Sequence, residues 1–558
     1  MALRCMYRGP ASTNDELVER LQQIPYETGI IAVDTETISI KDLTCIGIGL
    51  QVSPTESFYI EVWPDPSDLL SIVTGLIADT KITKLYFNAN FDFRVLEFLH
   101  ETDGCPLPDY INIADASIAA QIQGQTSHSL DDLSLDLLNT TNEYSISGLL
   151  DIARLEEGRR SVSMLDVPFE AVATKCLNDV WATWHLWEKL QHTWPNQQNK
   201  ECYDIDIALI PVLKSMERKG LLLDKEVVES EYVRLRREVM GYSDICSDMG
   251  FNPGSGQQVG YILASRGNIL PFTKSRKQLR TDEEALSDID DPVAKLVLQY
   301  RKAVKLLGTY IEPWRGQDRA HTCFRIDLST GRLASFDRNL QNIPPSMRQV
   351  FSPDRDYFSW LDFSQIEMRI LAWMSGDPTM LDAYKLGIDI HALTQLELWP
   401  GSDVKDEAKR LVAKTFNFAM AYNANTYTLA KHTKLPERTC YEFRQRWLNL
   451  YRKVWEYMET RARDTSTYAT TDFGRRMSLP SLDTSPQTHI DKCKINYAIQ
   501  GTAADIIKRA MLKVGGDLRL QVHDELVFDG DMTLGEELTH IHPDIYTPYN
   551  TYKEKKWH

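Results

Sequence analysis

Residues 518–528 read LRLQVHDELVF. Apolar residues alternate on both sides of His523, Asp524 and Glu525, the period of a β-strand, so the segment reads as a hairpin with its acids at the turn. Residues 359–371, SWLDFSQIEMRIL, carry a further acid, Asp362, to the end of another apolar, strand-like run. Strands ending in this way can deliver Asp362 and Asp524 to one edge of a sheet. Between them, residues 409–424, KRLVAKTFNFAMAYNA, read as a helix with Arg410, Lys414, Phe418 and Tyr422 at steps of four. Each step turns an α-helix by about 400°, so these side chains form one slowly drifting stripe. Carboxylates that converge on divalent metals, facing a helix with cations and an aromatic ring, suit nucleotidyl transfer. Metals stabilise the attacking and leaving oxygens of an in-line displacement, and cations hold a triphosphate.

The three segments resemble motifs A, B and C of the family A DNA polymerases, as D-F-S-Q-I-E-x-R, R-x-x-x-K-x-x-x-F-x-x-x-Y and V-H-D-E. Further strings similar to the family occur in its order: TGRLAS at 330–335, NLQNIP at 339–344 and INYAIQGTAADIIKRAM at 495–511. The resemblance covers nearly the whole chain. It implies a multidomain α/β fold, with a ribonuclease H-like exonuclease domain over residues 1–195 followed by a right-hand polymerase. The thumb is expected over 196–310, the palm over 311–367 and 488–558, and the fingers over 368–487. The implied activity is template-directed, DNA-dependent DNA synthesis by a two-metal mechanism.

The resemblance also implies roles. Asp362 and Asp524 would bind metal, with the Phe363 carbonyl as an additional ligand and Glu525 beside them. Arg410 and Lys414 would clamp the triphosphate, and Lys414 is placed to protonate the leaving pyrophosphate. Phe418 would stack by the incoming sugar and base; phenylalanine there resembles members that discriminate against dideoxynucleotides. Tyr422 would pack at the template end of the pocket. His391, Gln365 and Ile366 would complete the dNTP site. Glu367 would exclude a ribose 2′-hydroxyl, which predicts dNTP over rNTP. Arg332 would read the minor groove, whose acceptors are nearly degenerate across base pairs. Asn339, Gln341, Lys492, Asn496 and Gln500 would face the DNA, and His523 the primer terminus. Lys492 stands where the family often has arginine, keeping the charge without the bidentate fork.

The N-terminal third opens with IIAVDTETISI at 30–40, where Asp34 and Glu36 are two apart and share one face of a strand. Asn88 and Asp92 follow in a strand that turns into a helix, and Asp179 lies on an amphipathic helix. Acids on separate elements can bind two metals, activate a water and attack a phosphodiester. The order D-x-E, N-x-x-x-D and a later helical Asp resembles the DEDD-type 3′-5′ exonucleases, with Asp34, Glu36, Asp92 and Asp179 as metal ligands. One position departs: the family's tyrosine or histidine four residues before the last acid is Lys175 here. A protonated lysine is no base. Two readings stay open, an active proofreading nuclease and a domain that only binds single-stranded DNA.

A chain of 558 residues is too long for one core. Its 62 basic and 79 acidic residues give a net charge of −17. Phosphate affinity comes from Lys and Arg, so DNA binding should be confined to a groove and salt-sensitive, drawing on Lys274 to Arg280, Arg301 to Lys305 and Lys405 to Lys414. The nine cysteines show no C-x-x-C pair, so neither zinc nor disulfides are indicated. No apolar run reaches membrane-span length and the N-terminus has no signal-peptide core, which points to the cytosol, or a host cytosol if viral. No P-loop motif occurs. With no 5′-nuclease domain ahead of the first strand, a phage or plasmid replicase is the expected setting. Residues 205–239 show helical spacing with a break at Lys219-Gly220, and Ser255 precedes a helix whose amides could hold a phosphate or simply be capped. The C-terminal tail offers no strand that can be placed. Expected ligands are two Mg²⁺ in each site, Mn²⁺ substituting, with primer-template DNA, dNTPs and a single-stranded 3′ end; the chain is expected as a monomer, with other replisome proteins as further partners.

Overall fold

A computed structural model of the chain describes residues 3–7, 15–63, 69–141, 145–158, 161–273, 275 and 277–557. Lys274 and Arg276 of the expected basic run lie outside them.

The N-terminal unit is built on a six-stranded sheet in the order Leu3–Tyr7, Glu56–Glu61, Cys45–Ser53, Ile30–Thr37, Thr83–Tyr86, Ile113–Asp115. Ile30–Thr37 runs antiparallel to Cys45–Ser53 and parallel to Thr83–Tyr86. Both its flanks are paired and nearly all its residues are buried, as its apolar run requires. Asp34 and Glu36 therefore leave from the middle of a sheet held on both sides. The helix Phe169–Leu190 crosses one face and buries Val172, Ala173, Cys176, Leu177 and Val180. It can approach closely because Gly49 on the facing strand has no side chain. A Cβ at Gly49 would come within 2.5 Å of Cys176 Sγ and 3.2 Å of Val180 Cγ1.

Gly49→Ala is therefore expected to destabilise the nuclease unit by about 1–3 kcal/mol, the usual cost of overpacking. Gly75→Ala is the control, because nothing lies within 4 Å of the added Cβ in the helix Leu69–Ala78; there about 0.5–1 kcal/mol of stabilisation is expected. Thermal unfolding of both variants checks the pair. Equal melting temperatures would show that the helix is not seated on this strand.

The helix Gln197–Lys219 leaves the nuclease unit and ends at Gly220, whose φ of 54° lies in the left-handed region, so the expected break is observed. This helix lies in the segment expected as thumb, yet it packs on the helix Gln487–Lys513, and the strand after it, Leu221–Leu223, pairs with Phe351–Ser352 and Arg319–Ala320. The part that stands off on its own core runs from the helix Lys225–Asp248 to the helix Pro292–Lys305. Cys246, Phe251, Val259, Leu263, Val293 and Val297 are buried against one another there. Ser255 caps the helix Gly256–Ser265 by accepting from the Gln258 amide.

The second sheet has four strands in the order Gly515–Val522, Glu525–Thr533, Phe358–Phe363, Tyr549–Glu554, and its three pairings are antiparallel. The tail thus supplies the edge strand, with Asn550 opposite Asp362. Trp557 anchors it, 2% exposed, against the Phe351 ring and under the Arg348 guanidinium. The sequence hides this strand because YNTYKE is polar and almost wholly exposed.

A buried ionic cluster ties these parts together. Asp206 on Gln197–Lys219 accepts from Arg475 Nη1 at 2.7 Å and Nη2 at 2.9 Å, and from Lys508 Nζ at 2.9 Å. Arg475 Nε also donates to Asp505 at 2.8 Å. Arg475 follows the strand Tyr468–Thr470, and Asp505 and Lys508 lie on Gln487–Lys513. Next to it the nuclease unit docks: Asn199 Nδ2 donates to the carbonyls of Ile122 and Gly474, and Ser478 Oγ to that of Gly124.

Candidate active sites

The hairpin expected from LRLQVHDELVF is present. Val522 pairs with Glu525, which leaves His523 and Asp524 as a two-residue turn. His523 takes φ 52°, and the left-handed region costs a non-glycine residue energy that surrounding structure must offset. Gln365, just before the helix Ile366–Ser375, does the same at φ 54°. Asp362 lies directly across from Glu525, and the Phe363 amide donates to the Asp524 carbonyl at 3.1 Å. The two acid-bearing segments are thus clamped together by backbone bonds.

Burial, above all, raises the Asp524 carboxyl to about 7; the Glu367, Asp362 and Glu525 charges add to this and Arg332 opposes it. Burial likewise raises Asp362, with Lys414 opposing. Burial also raises Glu525, against the charge of Arg348. Carboxylates held this way lack cation charge, and hard oxygen donors suit Mg²⁺ or Mn²⁺. The residues present therefore fit a divalent metal.

The expected stripe lies on the helix Glu407–Ala421, with Tyr422 as its cap. Lys414 is exposed and its charge faces Asp362. Arg410 Nε donates to Asp389 at 2.8 Å, a partner that sequence reasoning missed although D-I-H reads as an N-cap. His391 is 2% exposed, and burial lowers its ring to about 4, so it is neutral. Its Nδ1 meets Asn417 Nδ2 at 2.9 Å, while Asn417 Oδ1 accepts from Thr394 and Trp447. The imidazole proton therefore sits on Nε2, which has no partner among the described residues. His391 offers a hydrogen-bond donor and no charge, and its ring lies 5.8 Å from that of Phe418.

Glu367 is 6% exposed and accepts from both Arg332 and Tyr422. Arg332, expected on the primer's minor groove, is thus drawn onto Glu367 in this structure. Ile366 is 1% exposed, so its side chain is core and only its backbone remains for a nucleotide. Gln365 accepts from the Tyr384 hydroxyl at 3.1 Å. Lys492, Asn496 and Gln500 share one face of Gln487–Lys513, and the buried Oδ1 of Asn496 has no partner among the described residues. Asn339 caps residues 340–342, and Gln341 bonds Gln521 and the Ser335 amide. Those two have structural duties besides the expected one.

In the nuclease unit Glu36, Asp179 and Asp92 lie near enough to Asp34 that their charges raise its carboxyl. Asp92 accepts from the Thr35 amide at 3.0 Å and the Thr35 hydroxyl at 2.8 Å. Burial nevertheless raises its carboxyl to about 8. Burial raises Asp34 and Glu36 as well, with Lys175 opposing in both. Lys175 Nζ lies 2.7 Å from Glu36 Oε1 and 2.7 Å from Asp179 Oδ2. Cys176, which sequence reasoning did not single out, brings Sγ within 3.3 Å of Asp34 Oδ2. Ligand atoms of Asp34, Glu36 and Cys176 all fall within 4.8 Å of one another.

Residues 225–548 match the family described as DNA polymerase family A, and residues 10–194 the family described as 3′-5′ exonuclease. DNA polymerase I of Pseudomonas aeruginosa is 30% identical over 567 residues, covering 92% of this chain and 60% of that protein. DNA polymerase I of a Synechocystis species is 31% identical over 594 residues, covering 94% and 58%. The chain thus spans about three-fifths of the length of these curated relatives. A solved structure, the POL domain of Pol1 from M. smegmatis in complex with DNA primer-template and dNTP, superposes with a TM-score of 0.74 at 22% identity. It covers 99% of both chains, and at that identity it supports the fold. No described helix is long and apolar enough to cross a membrane.

Proposed function

The chain belongs to DNA polymerase family A, with a 3′-5′ exonuclease domain ahead of the polymerase, and on that premise we propose that it extends a primer along a DNA template and trims mismatched 3′ ends. The observation that carries this is Asp362 and Asp524 clamped at one sheet edge opposite Lys414. Family A polymerases and DEDD exonucleases depend on metal. Asp362, Asp524 and the Phe363 carbonyl would hold two Mg²⁺, or Mn²⁺, which when bound lower the pKa of the primer 3′-hydroxyl and neutralise the departing pyrophosphate.

The chain's own groups do the rest. Lys414 meets the triphosphate and can give its proton to the leaving group. Arg410 exchanges its bond to Asp389 for a phosphate. His391 donates from Nε2 without adding charge, and Phe418 stacks beside the sugar. Arg332, His523, Asn496, Gln500 and Lys492 line the side where primer-template lies, with Asn339 and Gln341 behind them. Asp34, Glu36, Asp92 and Asp179 receive a single-stranded 3′ end. We place the protein in the cytosol, acting as a monomer; the relatives named here are bacterial and do not speak for a phage setting.

A labelled primer-template with a mismatched 3′ end, supplied with Mg²⁺ and dNTPs, tests the whole reading. Trimming followed by extension is the expected result. Extension of matched primers alone would favour the domain that only binds single strands, which Lys175 at the acids keeps as the second reading. No synthesis would sink the proposal.

Glu367 carries the sugar choice. Glu367→Ala removes the carboxylate on which Arg332 and Tyr422 converge and opens the space it fills. Ribonucleotide incorporation is expected to rise by about 10²-fold relative to deoxyribonucleotide. Steady-state incorporation of matched rNTP and dNTP pairs measures it, and an unchanged ratio would place the gate elsewhere.

A further inference from the structure

Resting on the nuclease reading above, we propose that the ammonium of Lys175 is the second cation of the nuclease centre, so that the folded centre takes one divalent ion and not two. The group lies 2.7 Å from Glu36 Oε1 and 2.7 Å from Asp179 Oδ2, and its side chain is 9% exposed. Those oxygens come from different elements, the strand Ile30–Thr37 and the helix Phe169–Leu190. A bridging ion between these acids would need the same two oxygens. It would also face the ammonium charge across a few ångströms in a water-poor site, where repulsion is strong. The residues therefore do not fit a pair of ions while Lys175 is in place.

The helix keeps it in place. Lys175 and Asp179 are one turn apart on the same face, the spacing at which side chains meet. Ala173, Cys176 and Leu177 around it are fully buried, so the backbone that carries Lys175 is fixed. Asp34 and the second oxygen of Glu36 remain for one ion, with Asp92 close enough to raise Asp34. Lysine brings one positive charge, half that of a divalent ion, and does so without dependence on metal supply. It cannot leave the site, so the centre stays partly neutralised in the absence of metal.

Counting bound Mn²⁺ by electron paramagnetic resonance tests this on the full chain carrying Asp362→Asn and Asp524→Asn, which clears the polymerase acids. The ions counted are those that a further Asp34→Ala removes. One ion per chain is expected, rising to two when Lys175→Met is added. Two ions with Lys175 present, or none, would overturn the proposal, as would a count that stays at one in Lys175→Met. If Lys175→Met does not fold, Lys175→Gln keeps a donor without the charge and must give the same count of two. Melting supplies a second readout, because an ion that binds only the folded state stabilises it by mass action. Lys175→Met should melt below its parent in EDTA and gain more than the parent from Mg²⁺; equal gains would count against the proposal. Neither readout uses DNA or turnover. A primer assay without trimming would therefore sink the nuclease reading while a count of one still upheld the role of Lys175.

Discussion

Asp524→Ala is expected to reduce primer extension by about 10³-fold, the upper end of the scale for losing one preorganised electrostatic contact at a reacting centre, while duplex affinity stays nearly unchanged. The carboxyl sits at the tip of a two-residue turn, and burial raises it to about 7, so what it lacks is cation charge. DNA is held by cations on phosphates, and none of those is removed. The backbone bond from the Phe363 amide to the Asp524 carbonyl does not involve the side chain, so the turn should keep its shape. Single-turnover extension and equilibrium binding of a labelled primer-template measure the two halves. A large fall in duplex affinity would mean that Asp524 shapes the DNA surface, and then its assignment as a metal ligand would fail. Asp524→Asn, which keeps the volume, should lose synthesis nearly as completely.

Asp206→Ala is expected to be the most destabilising substitution of a residue outside both sites. It would leave Arg475 and Lys508 facing one another at 2% and 1% exposure with Asp505 as the remaining acid. Removing one partner of a buried ion pair typically costs about 3–5 kcal/mol, because the other charge is left without compensation. Asp206 serves two cations at once, so the upper part of that range is expected. The cluster joins the helix leaving the nuclease unit to the helix Gln487–Lys513, and its loss should lower the melting transition of the polymerase part first. The control is Asp204→Ala on the same helix, whose partner Lys200 is exposed; a solvent-exposed pair of this kind contributes about 0.3–0.5 kcal/mol. If the two variants melted alike, the cluster would be a bystander.

The chemistry was legible because it depends on residue type at fixed spacing. Alternation around His523-Asp524-Glu525 specified a hairpin, and steps of four specified the stripe from Arg410 to Tyr422; both are local periods that the backbone imposes wherever the segment lies. Gly220 after a helical run specified a break for the same reason. What was missed had no local period. The edge strand Tyr549–Glu554 is polar on both faces, so only its pairing with Phe358–Phe363 reveals it. The helix Gln197–Lys219 reads like its neighbours in sequence, and only the structure shows that it packs on the helix Gln487–Lys513.

By itself the sequence determined which acids and cations stand at the spacings of the three motifs, and that a lysine stands before the last nuclease acid. Only the tertiary structure decided how each is engaged. It turned Arg332 onto Glu367, paired Arg410 with Asp389, fixed His391 as a neutral donor and set Lys175 between Glu36 and Asp179. The physical reason is range. Charge pairing and burial act through space between residues far apart in the chain, and neither spacing nor composition carries that distance.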